Sequence, residues 1–342
     1  MSSTGDLATP DALLPRERRG HPVLIFVARR VAAAIATLVI VSILVFVGTE
    51  VLPGDAAGAV LGRNATPAEL EEMRALMGLD RSALERYLDW LGGVLTGDLG
   101  NSAAGFAAGG VSPIWEEISG KIANSFALAG ITAALMIPLS LLLGIVAAVQ
   151  AGRALDHAIT FSSLAIISLP EFIIGALLIL VFFSWLDLLP PVSLIAPDQN
   201  PLAQPDVLVL PVMTLLGASL AASVRMVRAG MVEALNAEYV TMARLNGFRE
   251  RMVVTRYALR NALAPSVQVL AQNIQYLVGG IVVTEYLFNY PGLGKELVDA
   301  VAIRDVREVQ SVALLIAAFY ISLNIAADLL VVLLVPKLRT QR

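Results

Sequence analysis

The chain has 342 residues, 57% of them hydrophobic and 15% charged, with a mean hydropathy of +0.76 and a formal net charge of -4. That balance excludes an ordinary soluble domain and calls for several membrane-spanning segments. The absence of cysteine excludes disulfides, thiolate catalysis, cysteine-ligated zinc and iron–sulfur clusters, and the only histidines, His21 and His157, lie too far apart in sequence to suggest a metal centre.

Residues 1–24 are rich in Ser, Thr, Asp, Pro and Arg and read as a disordered tail, without the apolar core and small-residue cleavage site of a signal peptide. A span needs about 20 mostly apolar residues to cross a hydrocarbon core about 30 Å thick. Six segments meet that need, near 31–51, 124–149, 158–186, 207–227, 266–288 and 309–335. The expected architecture is all-α and polytopic. A first transmembrane helix within 25–51 is followed by an extramembrane segment, 52–121. A five-helix core, 122–335, then includes a polar loop at 233–265, and 336–342 form a short tail.

The 52–121 segment is too long for a turn. Thr66-Pro67 with Glu69 predicts a helix start, and Gly78 a stop. A second helix is expected near 82–95, with Leu84, Tyr87, Leu88 and Leu91 at i, i+3, i+4 and i+7 on one face. Gly97-Asp98-Leu99-Gly100 ends it, and Ser112-Pro113 begins a short helix leading into the second span. The segment is expected to fold against the span ends as a rim or plug, the alternative being a solvated loop with incidental helices. No internal repeat of the kind seen in many secondary transporters is visible.

Lys and Arg set the orientation. With the N-terminus inside, sixteen of the 24 basic residues fall on the inner side, including Arg225, Arg228, Arg244, Arg249, Arg251, Arg256 and Arg260 between the fourth and fifth spans. Both termini are therefore expected in the cytoplasm. The inner 233–265 loop predicts a helix over 238–245 that puts Tyr239, Met242 and Ala243 on one stripe, then a stop at Asn246-Gly247. A second helix over 250–262 follows, and Pro265 is expected to open the fifth span. Two basic helices around a glycine turn also suit a DNA-binding motif, but both ends run straight into spans and no third helix is left for a soluble core, so no nucleic-acid partner is expected. An amphipathic hairpin lying in the membrane interface is the purely structural alternative.

The order of these residues resembles a known family. Tyr239-Val240, Ala243-Arg244 and Gly247, followed by Arg256, Ala258-Leu259-Arg260-Asn261-Ala262-Leu263 and Pro265, is similar to the coupling loop of the dipeptide/oligopeptide ABC importer permeases. Other matches are Leu52-Pro53-Gly54-Asp55, Tyr87-Leu88 with Trp90-Leu91-Gly92, Gly97-Asp98-Leu99-Gly100, and Ser168-Leu169-Pro170 with Phe172. Glu285, Pro291-Gly292-Leu293-Gly294 and Arg304-Asp305 complete the set. Against the wider importer class the chain departs at Thr241-Met242 and at Arg260, as is usual within the peptide branch; it departs from the peptide-branch pattern at Glu171, where a small residue is common, and at Val335-Pro336-Lys337. The resemblance implies a type I ABC importer permease fold in the bacterial inner membrane. It implies a second homologous permease, one or two ABC ATPase subunits, an extracytoplasmic binding protein and a peptide substrate. Nickel chelates, glutathione and oligosaccharides are alternative cargoes within it. It assigns ATPase coupling to Glu238, Tyr239, Ala243, Arg244, Gly247, Arg251 and Arg256.

Acidic groups within spans cost on the order of 2.5–3.5 kcal/mol at a helix centre, so Glu171, Glu285 and Asp328 are expected to face protein or water. Glu171 and Glu285 are read as possible translocation-path residues or as interhelical hydrogen-bonding groups. Asp328, four residues after Asn324, is read as locally paired. No nucleophile–base set and no phosphate loop are present, because Gly294-Lys295-Glu296 and Gly120-Lys121-Ile122 fail at the third position. No cofactor or catalytic residue is expected, and any ATP must be bound by another chain. The competing class is an ion-coupled transporter using Glu171 and Glu285; a membrane-anchored scaffold is a third.

Overall fold

The computed structural model describes residues 22–50, 56–61, 65–76, 78–107, 110–196 and 199–334. The tail before residue 22, the Leu52-Pro53-Gly54-Asp55 motif and the Val335-Pro336-Lys337 exit lie outside the described residues. Helices α1 (Pro22–Glu50), α2 (Ala56–Leu61), α3 (Pro67–Leu76), α4 (Ala83–Thr96) and α5 (Ala103–Ala107) lead to α6 (Ile114–Val149). After α7 (Ala154–Ile167), α8 (Glu171–Ile179) continues as a π-helical turn, Leu180–Trp185. The chain then forms α9 (Pro205–Leu235) and the short α10 (Glu238–Leu245) and α11 (Glu250–Met252). A π-helical stretch, Val253–Ala258, joins α11 to α12 (Leu259–Leu287), and α13 (Leu293–Ile303) and α14 (Val306–Leu334) complete the chain. Among the described residues no strand forms, so the all-α expectation holds.

The expected six spans are not all found. Among the described residues four helices are long and apolar enough to cross a membrane: Val27–Glu50, Ile114–Val149, Pro205–Leu235 and Val306–Ala326. The α7–α8 pair makes a fifth if it counts as one span. This pair is the expected third segment, but it is not one straight helix: it bends by 104° at residues 168–170. Pro170 supplies no N–H and pushes Leu169 out of helical geometry, so the ladder cannot continue. The 29-residue α12 is long enough to span but carries Gln268, Gln272, Asn273 and Gln275 midway, and it is not among the candidates.

Two further boundaries moved. The short helix expected after Ser112-Pro113 is the first part of α6, which runs 36 residues without a break. Position 265 lies inside α12 rather than at its start, so α11, the π-helical turn and α12 carry the loop's second arm directly into the long helix. Proline inside a membrane helix is tolerated where neighbours satisfy the freed carbonyl.

α9 is the central element, 61% of its most apolar window being buried, and it packs against α6, α12, α7 and α8. α1 packs on α14 and leaves most of its surface uncovered, only 11% of its window being buried. Arg30 of α1 meets Asp328 of α14 at 3.0 Å, so Asp328 reaches across to a neighbouring helix. Near its start, α7 is tied to α9 by a two-pronged pair: Arg228 Nε and Nη2 donate to Asp156 Oδ1 and Oδ2 at 2.5 and 2.7 Å. Gly152 N–H adds a third bond to Asp156, 2.9 Å long.

The segment between α1 and α6 folds onto the spans. Thr66 caps α3 as expected and, with Glu69, does so reciprocally; Ser82 and Glu85 form a second reciprocal cap on α4. These bonds hold the Glu69 and Glu85 carboxyls below the usual carboxylate range. The buried face of α4 is centred on Tyr87, Trp90, Leu91 and Val94, packed with Phe46 of α1 and Leu314 of α14. Leu84 and Leu88, expected on that face, are exposed, because the face is rotated toward Trp90. Trp90 stacks near Phe46 and donates its indole N–H to Ser311 Oγ at 3.4 Å. Trp90→Phe removes this long bond and part of the packed ring, and is expected to cost about 1–2 kcal/mol. A thermal unfolding series on the purified protein checks this.

Candidate functional site

The 233–265 loop is a rigid hairpin rather than a tether. Val240 and Ala243 of α10 are buried with Val253, Ala258 and Ala262 against Val227, Met231, Ala234 and Leu235 of α9 and Ala148 at the end of α6. The helix stops where expected. Gly247 has φ +77°, and its N–H donates to Arg244 O, while Phe248 N–H reaches Ala243 O. Arg244 closes the turn: its Nη2 and Nε donate to Glu250 at 2.7 and 3.1 Å. Those hydrogen bonds raise the Arg244 guanidinium above its ordinary value and lower the Glu250 carboxyl below it. Open space surrounds Gly247, so Gly247→Ala meets no clash; its cost is the left-handed backbone, about 1–2 kcal/mol. Amide exchange at residues 244–248 is expected to accelerate in that variant with no change across α9.

The expected stripe of Tyr239, Met242 and Ala243 is divided between two faces. Ala243 turns into this chain's own core with Val240. Tyr239, Met242, Leu245, Phe248 and Met252 point away from it, with Met242 61% and Leu245 77% exposed. Glu238, Arg249, Arg251, Arg256 and Arg260 are exposed around this apolar face. A contiguous apolar surface rimmed by charge marks a protein contact more readily than a solvated loop. Sequence reasoning missed Leu245 and Phe248, because apolar residues occur all round this short helix.

Glu285, the Pro291–Gly294 turn and Asp305 gather at the opposite end of the spans. Glu285, near the end of α12, has no exposed surface. Its carboxylate accepts from Ser125 Oγ at 2.5 Å, from Gly294 N–H at 2.6 Å and from Lys295 N–H at 3.3 Å. Ser125 in turn accepts from Leu293 N–H at 2.9 Å. Glu285 thus holds the N-terminus of α13, where an acidic group meets free N–H donors and the positive end of the helix. Asn124 Nδ2 donates to Pro291 O, and Tyr290 Oη donates to Asn124 O, each at 2.8 Å. Burial first, and the Glu285 charge second, push the Tyr290 phenol above its ordinary range, so it stays a donor. Asp305 accepts from Ser102 Oγ at 2.7 Å and from Ala104 N–H at 3.1 Å, joining the start of α5 to the start of α14.

Glu171 is placed differently. It opens α8 at the 104° bend, is half-buried, and packs its carboxylate against Gly280 of α12. The two acidic groups paired in the sequence reading therefore sit in unlike surroundings: Glu285 in a closed hydrogen-bond network, Glu171 at a break with open surface.

The chain matches the family model "Binding-protein-dependent transport system inner membrane component" over residues 140–340, and its N-terminal companion over residues 23–114. It is 34% identical over 311 residues to a glutathione transport system permease protein of Pectobacterium atrosepticum, covering 91% of this chain and 97% of that one. It is 34% identical over 319 residues to a putative peptide permease protein of Brucella suis, with coverage of 91% and 97%. The glutathione transport system permease protein of Escherichia coli K12 is 32% identical over 314 residues, with coverage of 92% and 98%. These matches run through the α10 hairpin and the anchored far end alike, and the chain belongs to the family of binding-protein-dependent transport system inner membrane components, as a membrane-spanning permease and not an enzyme.

Proposed function

We propose that the chain forms half of the translocation path of an ATP-driven importer for short peptides, glutathione among them. The observation that carries this reading is the exposed apolar face of α10, fixed to the ends of α6 and α9 by its buried side. A surface so seated passes a push from a partner directly into long helices. The sequence has no phosphate loop of its own, so the fitting partner is an ATP-binding subunit. Relatives named for glutathione and peptide transport support the cargo.

In this reading Tyr239, Met242 and Leu245 enter the ATPase cleft, while Glu238, Arg251 and Arg256 form its charged rim. Ala243, Arg244 and Gly247 keep the hairpin rigid. A second, homologous permease supplies the other half of the path, and an extracytoplasmic binding protein delivers cargo. The hairpin and both termini face the cytoplasm, as the clustering of arginine around α10 favours. α12 serves as the sixth span, with Gln272 facing the path. ATP-driven closure of the ATPase pair displaces the two hairpins and the helices rock between two accessible states, each ligand favouring one of them. Glu285 is assigned to anchoring, and Glu171 keeps a place on the path. The test is purification of the tagged chain in mild detergent with cross-linking through residues 239–251. An ATP-binding subunit joined at Met242 or Leu245 is the expected product; its absence would sink the importer reading.

A further inference from the structure

The break between α7 and α8 holds chemistry that the α10 hairpin does not use. α7 has 14 residues, about 21 Å at 1.5 Å per residue, less than the roughly 30 Å hydrocarbon core. Taken as one broken span, the α7–α8 pair puts the break at residues 168–170 within the membrane thickness, and Glu171 stands there. Among the described residues, no hydrogen bond or ion pair reaches its carboxylate.

The site is nonetheless shaped around that carboxylate. A Cβ at position 280 would strike both carboxylate oxygens, so Gly280 makes the room Glu171 occupies. One turn earlier on α12 than Gly280, which the carboxylate touches, stands Tyr276, 57% exposed. Gln272, Tyr276, Gly279 and Val283 are all exposed and recur at i, i+4, i+7 and i+11, so a bare stripe that carries one amide and one phenol runs past the carboxylate. The position of Glu171 in the first turn of α8 puts it at the positive end of that helix, which offsets only a small part of the cost of a carboxylate inside a membrane. A cation meeting the carboxylate offsets the rest.

We propose that Glu171, with Tyr276 beside it and Gly280 making room, is the point on the path that receives the terminal ammonium group of a passing peptide. The proposal rests on the importer reading and adds a substrate contact to it. Neither α10 nor Glu285 takes part.

The test uses the assembled complex with its binding protein in proteoliposomes, and trialanine as cargo. Glu171→Gln keeps the size and removes the charge. Trialanine delivered per ATP hydrolysed is expected to fall about ten-fold, the equivalent of about 1.4 kcal/mol. Glu171→Asp should keep most of it, with recovery of the complex unchanged in both. A water-soluble carbodiimide applied during turnover should join the Glu171 carboxyl to the trialanine amine, giving an amide that mass spectrometry locates and that Glu171→Gln lacks. Wild-type delivery by Glu171→Gln overturns the proposal. So does an amide between Glu171 and a lysine of the second permease, or reduced recovery of the Glu171→Gln complex, either of which makes the group an assembly contact. Failure of the importer reading has another signature: the wild-type complex would show no ATP-dependent uptake, while the carbodiimide product still reports on the site.

Discussion

Leu245→Asp is expected to abolish substrate-stimulated ATP hydrolysis by the assembled complex while leaving insertion and the hairpin intact. Leu245 is 77% exposed, so a carboxylate there disturbs nothing inside this chain, and surface changes of that kind usually stay within about 0.5 kcal/mol. In the proposed cleft the balance reverses. Withdrawing the leucine forfeits about 1.5–3 kcal/mol of apolar burial, and desolvating an unpaired carboxylate adds more. A combined loss near 4 kcal/mol is about a thousand-fold in affinity. Met242→Asp should act in the same direction and more weakly, since Met242 is less exposed. Ala243→Arg is a different experiment: Ala243 lies in this chain's own core, so a guanidinium there disrupts the hairpin before any partner is involved. Measuring ATPase stimulation and co-purification together separates these cases. Normal stimulation and normal recovery in a Leu245→Asp, Met242→Asp double variant would refute the docking role.

What could be read in the sequence followed the range over which each feature is determined. The bounds of α10 matched because Asn246-Gly247 stops the helix locally, and the cap at Thr66 matched because its bonds reach only three residues along the chain. Which face of α10 meets the core was not legible. Val240 and Ala243 are apolar on one side and Tyr239, Met242 and Leu245 on the other, and the choice depends on α9 and α6, set by distant sequence. The bend in the third apolar segment had a visible cause in Pro170, but hydropathy registers length and not direction, so the 104° turn stayed hidden. The roles of the two glutamates were least legible. A carboxyl in an apolar run looks the same whether it lines a path or caps a helix. Ser125, which decides the matter for Glu285, is 160 positions away. For Glu171 the deciding neighbour is Gly280, whose missing side chain carries no signal by itself.

The second large effect is expected at Glu285, and its grading distinguishes anchor from path. Glu285→Ala removes the acceptor for Ser125 Oγ, Gly294 N–H and Lys295 N–H, and leaves a void where no surface was exposed. Orphaned buried donors cost about 1–3 kcal/mol each, part of which water entering the void offsets, so a net loss of about 3–5 kcal/mol is expected. Glu285→Gln should be far milder, about 1–2 kcal/mol. Its amide oxygen can occupy the Oε2 position and accept from both backbone N–H groups, while its NH₂ donates to Ser125 Oγ, which must then turn its own hydrogen elsewhere. A path residue would behave in the opposite way. Loss of charge would then suppress transport in the Gln variant as fully as in the Ala variant, with stability unmoved. Thermal unfolding and transport measured on the same two variants of the complex decide the question. If Glu285→Gln unfolds like the wild type yet carries no peptide, the anchor assignment fails; if stability falls in the order wild type, Gln, Ala and transport per folded complex follows it, Glu285 acts by holding α13 to the end of α6.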